Sequence, residues 1–351
     1  MPGTSPTLCV NFRKEIPMKA LVSREIGGPG TLVIEDLPEP VAGPGELLVA
    51  VHACAINYPD VLIIEDKYQF KPERPFAPGA EISGTVIAIG DGVEGWAKGD
   101  RLIATARHGC LAEKAVVQAS QAFPLGEDQD PVAGAGLLFT YGTTIYALSD
   151  RGELKAGETL LVLGAAGGIG LAAVEIGKAL GARVIAAVSS GEKAEAARSA
   201  GADDVLIYGR APFDRSQSRA LADQFKAAAG KNGVDVVYDP VGGDYAEPAL
   251  RSLGWGGRYL VVGFPAGIPS IPLNLTLLKS CDIRGVFWGA FAAREPEANR
   301  RNTAQLLDWW RAGTINPRIS AVWPLAEGGK AIARMAARGA IGKLVVKISE
   351  A

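Results

Sequence analysis

Residues 160–170, Leu-Leu-Val-Leu-Gly-Ala-Ala-Gly-Gly-Ile-Gly, set an apolar run against a turn of small residues that leads into helix-forming sequence. A backbone must come very close to a phosphate to bind it through N–H groups. The unpaired N–H groups at a helix start, with the positive end of the helix dipole, then hold the anion. Gly167, Gly168 and Gly170 allow that approach, with Ala166 and Ile169 completing the turn. The chemistry implied is the binding of a pyrophosphate, and so of a dinucleotide. The fit to G-x-G-x-x-G is imperfect, because the register ending at Gly170 puts Ala165 at the first glycine, and a tight turn without a ligand is the bland alternative. The context favours the nucleotide: a strand before the turn, a helix over 171–180 closed by Gly181, and a second β-rich run at 184–188.

The end of that second run selects among dinucleotides. A fold that prefers NAD places an acidic residue there, about 20 residues past the glycines, to receive the ribose hydroxyls. Here the sequence reads Val188-Ser189-Ser190-Gly191, with no carboxylate to repel a 2′-phosphate. Ser189, Ser190, Lys193 and Tyr208 offer hydroxyl, ammonium and phenol donors, so NADPH is the expected cofactor. Glu192 keeps a second reading open, since it could serve the ribose while Lys193 stands as an ordinary solvated lysine.

Size and charge narrow the partner. A chain of 351 residues is longer than one core usually fills, and 48% hydrophobic residues suffice for two. A net charge of −2 supplies no basic field for nucleic acid or an anionic membrane, so a small molecule is the expected partner. Cys9, Cys54, Cys110 and Cys281 form no C-x-x-C pair, which argues against a disulfide framework or a zinc knuckle and for a reducing compartment. Residues 1–17 lack the apolar stretch of a signal peptide and are expected to be a flexible extension of a cytoplasmic protein.

Two kinds of pattern position these residues. From 18 to 117 the sequence alternates and is punctuated by turns, with strands expected at 18–22, 31–35, 46–55, 81–89, 101–104 and 113–117: a β-rich, barrel-like unit with glycine corners. From 159 on, strands at 159–163, 184–188, 205–207, 234–238, 258–262 and 283–287 alternate with helical segments, as in a doubly wound parallel sheet. Helices near 302–312 and 327–338 and a strand at 343–348 close the chain. The expected α/β organisation is a flexible 1–17, a catalytic β-rich domain over 18–138, a Rossmann domain over 139–288, and a return to the catalytic domain over 289–351.

Several stretches together resemble the medium-chain dehydrogenase/reductase superfamily, in particular its zinc-free quinone oxidoreductase (zeta-crystallin-like) branch. They include Ala55-Ile56-Asn57-Tyr58-Pro59-Asp60, Pro78-Gly79-Ala80-Glu81-Ile82-Ser83-Gly84, Gly99-Asp100-Arg101, Gly142-Thr143-Thr144, Asp239-Pro240-Val241-Gly242-Gly243 and Gly342-Lys343. The resemblance spans residues 18–348 and implies a GroES-like β-rich domain. Zinc-dependent relatives have a cysteine at the position of Asn57 and a histidine at that of Ala80, and keep the glutamate, here Glu81. No metal is therefore expected. A composite site from His52, Cys54, His108 and Cys110 is weighed against core packing of the same four residues, which is the better account.

Without a Lewis acid, the acceptor must already be electrophilic. The resemblance implies hydride transfer from NADPH to a quinone or to the β-carbon of an α,β-unsaturated carbonyl. Asn57 and Tyr68 are the candidate donors to the acceptor oxygen, whereas Asp60 is expected to organise its loop or cap a helix starting at Val61. By the same resemblance Thr144, Gly263, Phe264, Phe287, Trp288 and Gly289 lie at the nicotinamide end, and Lys343 belongs to a glycine-lysine pair of the cofactor site. For the aromatics, core packing is an equal alternative, and for Lys343 so is an exposed surface position. A non-enzymatic NADPH-binding, crystallin-like protein is the second functional reading. The apolar run at 283–287 is expected to be a sheet edge through which two copies pair.

Overall fold

The computed structural model describes residues 11–350. Seven strands open the chain: β1 (Asn11–Val22), β2 (Val33–Val41), β3 (Glu46–Ile56), β4 (Glu81–Ile89), β5 (Arg101–Thr105), β6 (Lys114–Gln118) and β7 (Ala122–Pro124). Six follow between helices: β8 (Thr159–Leu163), β9 (Arg183–Val188), β10 (Asp204–Ile207), β11 (Val234–Asp239), β12 (Leu253–Val261) and β13 (Asp282–Gly285). The last two are β14 (Ile319–Pro324) and β15 (Lys343–Lys347). Of the extension expected at 1–17, residues 1–10 lie outside the described residues, and 11–17 run in β1, which pairs antiparallel with β2 apart from an irregularity between Arg13 and Pro17.

The chain divides into two compact units. The first contains the described residues through Leu138, Ile319–Gly339, and those from Lys343 on. Its main sheet runs β14-β15-β3-β4-β5-β7, with β6 also on β3. The apolar residues of β3 are buried along almost the whole strand, because it is paired on both sides and covered on both faces. Gly84 is mid-strand in β4 and not at a corner: a Cβ there would lie 2.3 Å from the Ala50 carbonyl oxygen, so the close approach of β3 requires glycine.

The second unit is Phe139–Arg318 with Ala340–Gly342. Its six parallel strands run β10-β9-β8-β11-β12-β13, the doubly wound order. All five residues of β8 are buried, which is why the strand reads as a continuous apolar run. Residues 289–318 fold with this unit: the helix Trp288–Arg294 packs Trp288 and Phe291 on Phe139 and Tyr146, and the helix Pro296–Arg311 follows it. Only the segments after Arg318 rejoin the first unit, apart from Ala340–Gly342. Among the described residues, no helix is long and apolar enough to cross a membrane.

Candidate functional site

In the second unit, β8 ends at Leu163 and the chain turns at Gly164, whose φ of +60° is left-handed. Gly167 caps the helix Gly168–Ala179 in an extended conformation, and the first N–H groups of that helix have no acceptor within it. A Cβ at Gly170 would meet the Gly164 carbonyl oxygen at 2.3 Å and the Ala165 Cα at 2.7 Å, so the helix sits against its own turn only because residue 170 has no side chain. The glycines that the turn requires are therefore 164 and 170. Gly164 was missed in the sequence because G-x-G-x-x-G spacing directs attention to Ala165; a glycine placed directly after a strand is the signal that finds it. The C-terminal segment also reaches this turn, with the Gly342 N–H donating to the Ala166 carbonyl at 2.9 Å and a bridge between Gly167 and Gly342.

Three of the residues expected to select the cofactor come together past β9. Ser190 caps the helix Gly191–Ser199, its Oγ accepting from the Lys193 N–H at 3.3 Å, and the Lys193 Nζ donates to Ser189 Oγ at 3.2 Å. Glu192 is exposed in the first turn of that helix. Tyr208 is buried and tilted against Tyr245 with ring centroids 4.9 Å apart. Burial pushes its phenol pKa up, and the neighbouring Tyr245 adds to the shift.

The nicotinamide-end candidates are more dispersed. Thr144 is fully buried, its Oγ1 donating to the Thr140 carbonyl at 2.7 Å and lying 2.8 Å from the Tyr238 hydroxyl. Trp288 is in the core: its indole N–H donates to Asn299 Oδ1 at 3.0 Å and its ring leaves no room for a Cβ at Gly142. Phe264 and Phe287 are 47% and 61% exposed, and Gly289 is exposed. Gly263 donates to the Asp239 carbonyl. The side chain of Asp239, 2% exposed, accepts from the Val241 and Gly242 N–H groups and from the Tyr259 hydroxyl, which explains why the sequence after β11 is Asp-Pro-Val-Gly-Gly.

In the first unit, the start of β15 brings Lys343 to the end of β3 and the start of β4. The Lys343 Nζ donates to Asn57 Oδ1 at 2.8 Å and to Glu81 Oε2 at 3.0 Å, and Asn57 Nδ2 donates to the same Glu81 oxygen at 3.0 Å. Asn57, Glu81 and Lys343 are 5%, 0% and 2% exposed. Sequence reasoning set Asn57 and Lys343 in different sites and gave Glu81 no task. A glutamate opening an otherwise apolar strand was the available signal, because a buried carboxylate requires a cation.

Asp60 completes the cluster. The helix expected from Val61 starts at Tyr58, with Asn57 at its N-cap and Pro59 in its first turn. Asp60 therefore stands in the first turn, where it accepts from the Asn57 N–H at 2.7 Å and the Gly79 N–H at 3.1 Å. Burial pushes its carboxyl pKa up to about 6, against the pull of those two N–H groups and the Lys343 ammonium. Tyr68 is half-buried, and its phenol pKa is raised by burial and then by the charge of Asp60, which places it near the same carboxylate.

These residues do not fit zinc. The positions that would ligate it carry Asn57, Ala80 and Glu81, and a lysine ammonium lies within hydrogen-bond distance of the first and last. A second cation there would meet full charge repulsion. Burial also raises the pKa of the Cys54 and Cys110 thiols, away from the thiolate form a metal needs. His52 is paired with Thr85 at 3.0 Å, and His108 stacks on Phe70 with centroids 5.7 Å apart.

Comparison with known proteins agrees with this architecture. The zinc-binding dehydrogenase family model matches residues 168–307, and that of the alcohol dehydrogenase GroES-like domain matches 43–127. The quinone oxidoreductase-like protein 2 of Rattus norvegicus is 35% identical over 94% of this chain and 92% of its own length. The chain belongs to the zinc-free quinone oxidoreductase family of medium-chain dehydrogenases/reductases. A mycobacterial protein solved as a complex with NADPH aligns with a TM-score of 0.86 at 32% identity, covering 94% of this chain and 99% of that one. The quinone oxidoreductase of Escherichia coli, also complexed with NADPH, gives 0.85 at 26% identity with the same coverage. The two units are thus the GroES-like and Rossmann domains of this family.

The raised carboxyl of Asp60 makes stability depend on pH with a definite sign. The folded protein keeps a proton up to about 6 that the unfolded chain releases near 4, so the Asp60 contribution is greatest below pH 4 and declines as pH rises to 6, by about 3 kcal/mol. Denaturant titrations of wild type and Asp60→Asn between pH 4 and 7 are expected to differ in slope over that window, the variant being flatter. Parallel curves would contradict the assignment.

Proposed function

We propose that this protein reduces quinones or α,β-unsaturated carbonyls with NADPH and without a metal ion. The observation that carries the reading is the buried Lys343–Asn57–Glu81 cluster, which puts an ammonium where metal-dependent relatives hold a cation. An enzyme so built is suited to acceptors that need no Lewis acid.

The turn from Gly164 to Gly170, with Ala166, Gly167, Gly168 and Ile169, fits the pyrophosphate of NADPH. Ser189, Ser190 and Lys193 fit its 2′-phosphate, with Lys193 already turned toward the Ser189 hydroxyl. Tyr208, packed on Tyr245, is the remaining candidate for that end of the cofactor. Gly263, Phe264, Phe287 and Gly289 are the accessible candidates for the nicotinamide end, while Thr144 and Trp288 act there by holding Tyr238 and Asn299. When bound, NADPH supplies a hydride. The chain orients the acceptor through the Asn57 segment and Tyr68, keeps its oxygen near fixed positive charge and limits water in a largely buried site.

Cys54, Cys110 and Cys281 are buried free thiols, which suits a reducing compartment such as the cytoplasm. One of the two edges of the parallel sheet is β13, preceded in the chain by a helix, Asn274–Lys279, that presents Leu277 and Leu278 at 79% and 65% exposure. Two copies pairing along β13 would cover both.

Absorbance at 340 nm tests the activity. NADPH is expected to be consumed on addition of an ortho-quinone or a short enone, and tight NADPH binding without consumption would favour a binding protein instead. An ammonium about 4 Å from a phosphate has a Coulomb attraction of roughly 4 kcal/mol in a partly exposed site, much of it offset by desolvation. Lys193→Ala is expected to raise the NADPH Michaelis constant about tenfold and leave that for NADH nearly unchanged. Equal effects on both would remove the 2′-phosphate assignment. Light scattering is expected to give the mass of two chains, and a monomer would exclude pairing along β13.

A further inference from the structure

We infer that Lys343 is a catalytic residue: its ammonium meets the negative charge that develops on the acceptor's carbonyl oxygen, and Asn57 and Glu81 are the positioning residues that aim it. The inference rests on the reductase reading. The hydride would come from bound NADPH, whose nicotinamide C4–H bond breaks as it is oxidised to NADP+, and its two electrons form a C–H bond at an electrophilic carbon conjugated to the acceptor's carbonyl. The π electrons move to the oxygen, and the oxyanion takes a proton from water. Lys343 stays an ammonium throughout, donating a hydrogen bond to the oxyanion and transferring no proton.

Asn57, the donor expected from the sequence, is already committed. Its Oδ1 accepts from Lys343, while its Nδ2 donates to Glu81 at 3.0 Å and faces the Ala55 carbonyl at 3.5 Å. Rotating the amide to free a donor would turn its NH2 toward the ammonium. Lys343, by contrast, carries three N–H groups, of which Asn57 and Glu81 take two. Its stem is also fixed, since a Cβ on Gly136 would lie 3.3 Å from both its Cγ and Cε. A cation held this way in a buried setting needs no reorganisation as charge appears, and this gives such donors their effect on rate.

The test uses the double variant Lys343→Met/Glu81→Gln, which removes both charges and leaves no lone buried carboxylate, with Lys343→Arg as the conservative control. The probe is 4-nitrophenol, whose coloured phenolate reports its ionisation when bound. Wild type is expected to bind the phenolate preferentially, lowering the probe's apparent pKa. The double variant should lose that shift and show about a hundredfold lower kcat with enones, with NADPH affinity by fluorescence within twofold of wild type. Lys343→Arg should restore part of both. A double variant that keeps the shift or wild-type kcat would overturn the inference, as would a wild type that shows no shift. A wild type that shows the shift but consumes no NADPH with any quinone or enone would overturn the reductase reading alone.

Discussion

The ammonium of Lys343 cannot be buried by itself. Removing a lysine and a carboxylate from water carries a penalty of several kcal/mol per ion, recovered only where each finds the other and their remaining hydrogen-bonding capacity is met. Here the Glu81 carboxylate and the Asn57 amide each accept one N–H of the ammonium, and all three side chains are nearly inaccessible to solvent. Taking away one partner would strand the others, typically at 3–5 kcal/mol. The cluster is thus a structural requirement on three strand ends as well as a feature of the site.

Strand register delivers those residues. β15 pairs antiparallel with β3 so that Leu344 faces Ile56, and one further step sets Lys343 opposite Asn57. β3 pairs antiparallel with β4 so that Cys54 faces Ile82, and one further step sets Glu81 opposite Ala55. A slip of one residue in either ladder would turn a charged side chain to the other face. In the second unit the equivalent constraint is steric: Gly170 lets the helix rest on the turn that follows β8, and Asp239 fastens the turn after β11 through two backbone N–H groups.

Much of this was legible from local pattern. The strands of the doubly wound sheet are continuous apolar runs between helical segments, and the glycine turn follows the first of them. β14 left no such mark, because its residues alternate between half-buried and exposed and it ends in proline. β12 starts five residues before the expected 258, because its first half, with Gly254, Gly256 and Gly257, reads as a turn. Asn57 was recognisable because it stands where relatives have a metal ligand. Its engagement by Lys343 was not, since 286 positions separate the two and no local period links them. The aromatic at 288 was equally silent: whether a tryptophan at a strand end lines a ligand or fills a core depends on Asn299 and Gly142, which only the fold brings to it.

The central claim is that a fixed ammonium occupies the place of a metal ion and that reduction proceeds without one. Elemental analysis of purified, catalytically active protein, coupled to turnover before and after exhaustive chelation, tests it most directly. The account predicts zinc far below one atom per chain and unchanged consumption of NADPH with a quinone. Stoichiometric zinc, with activity that is lost on chelation and returns when the metal is restored, would contradict it.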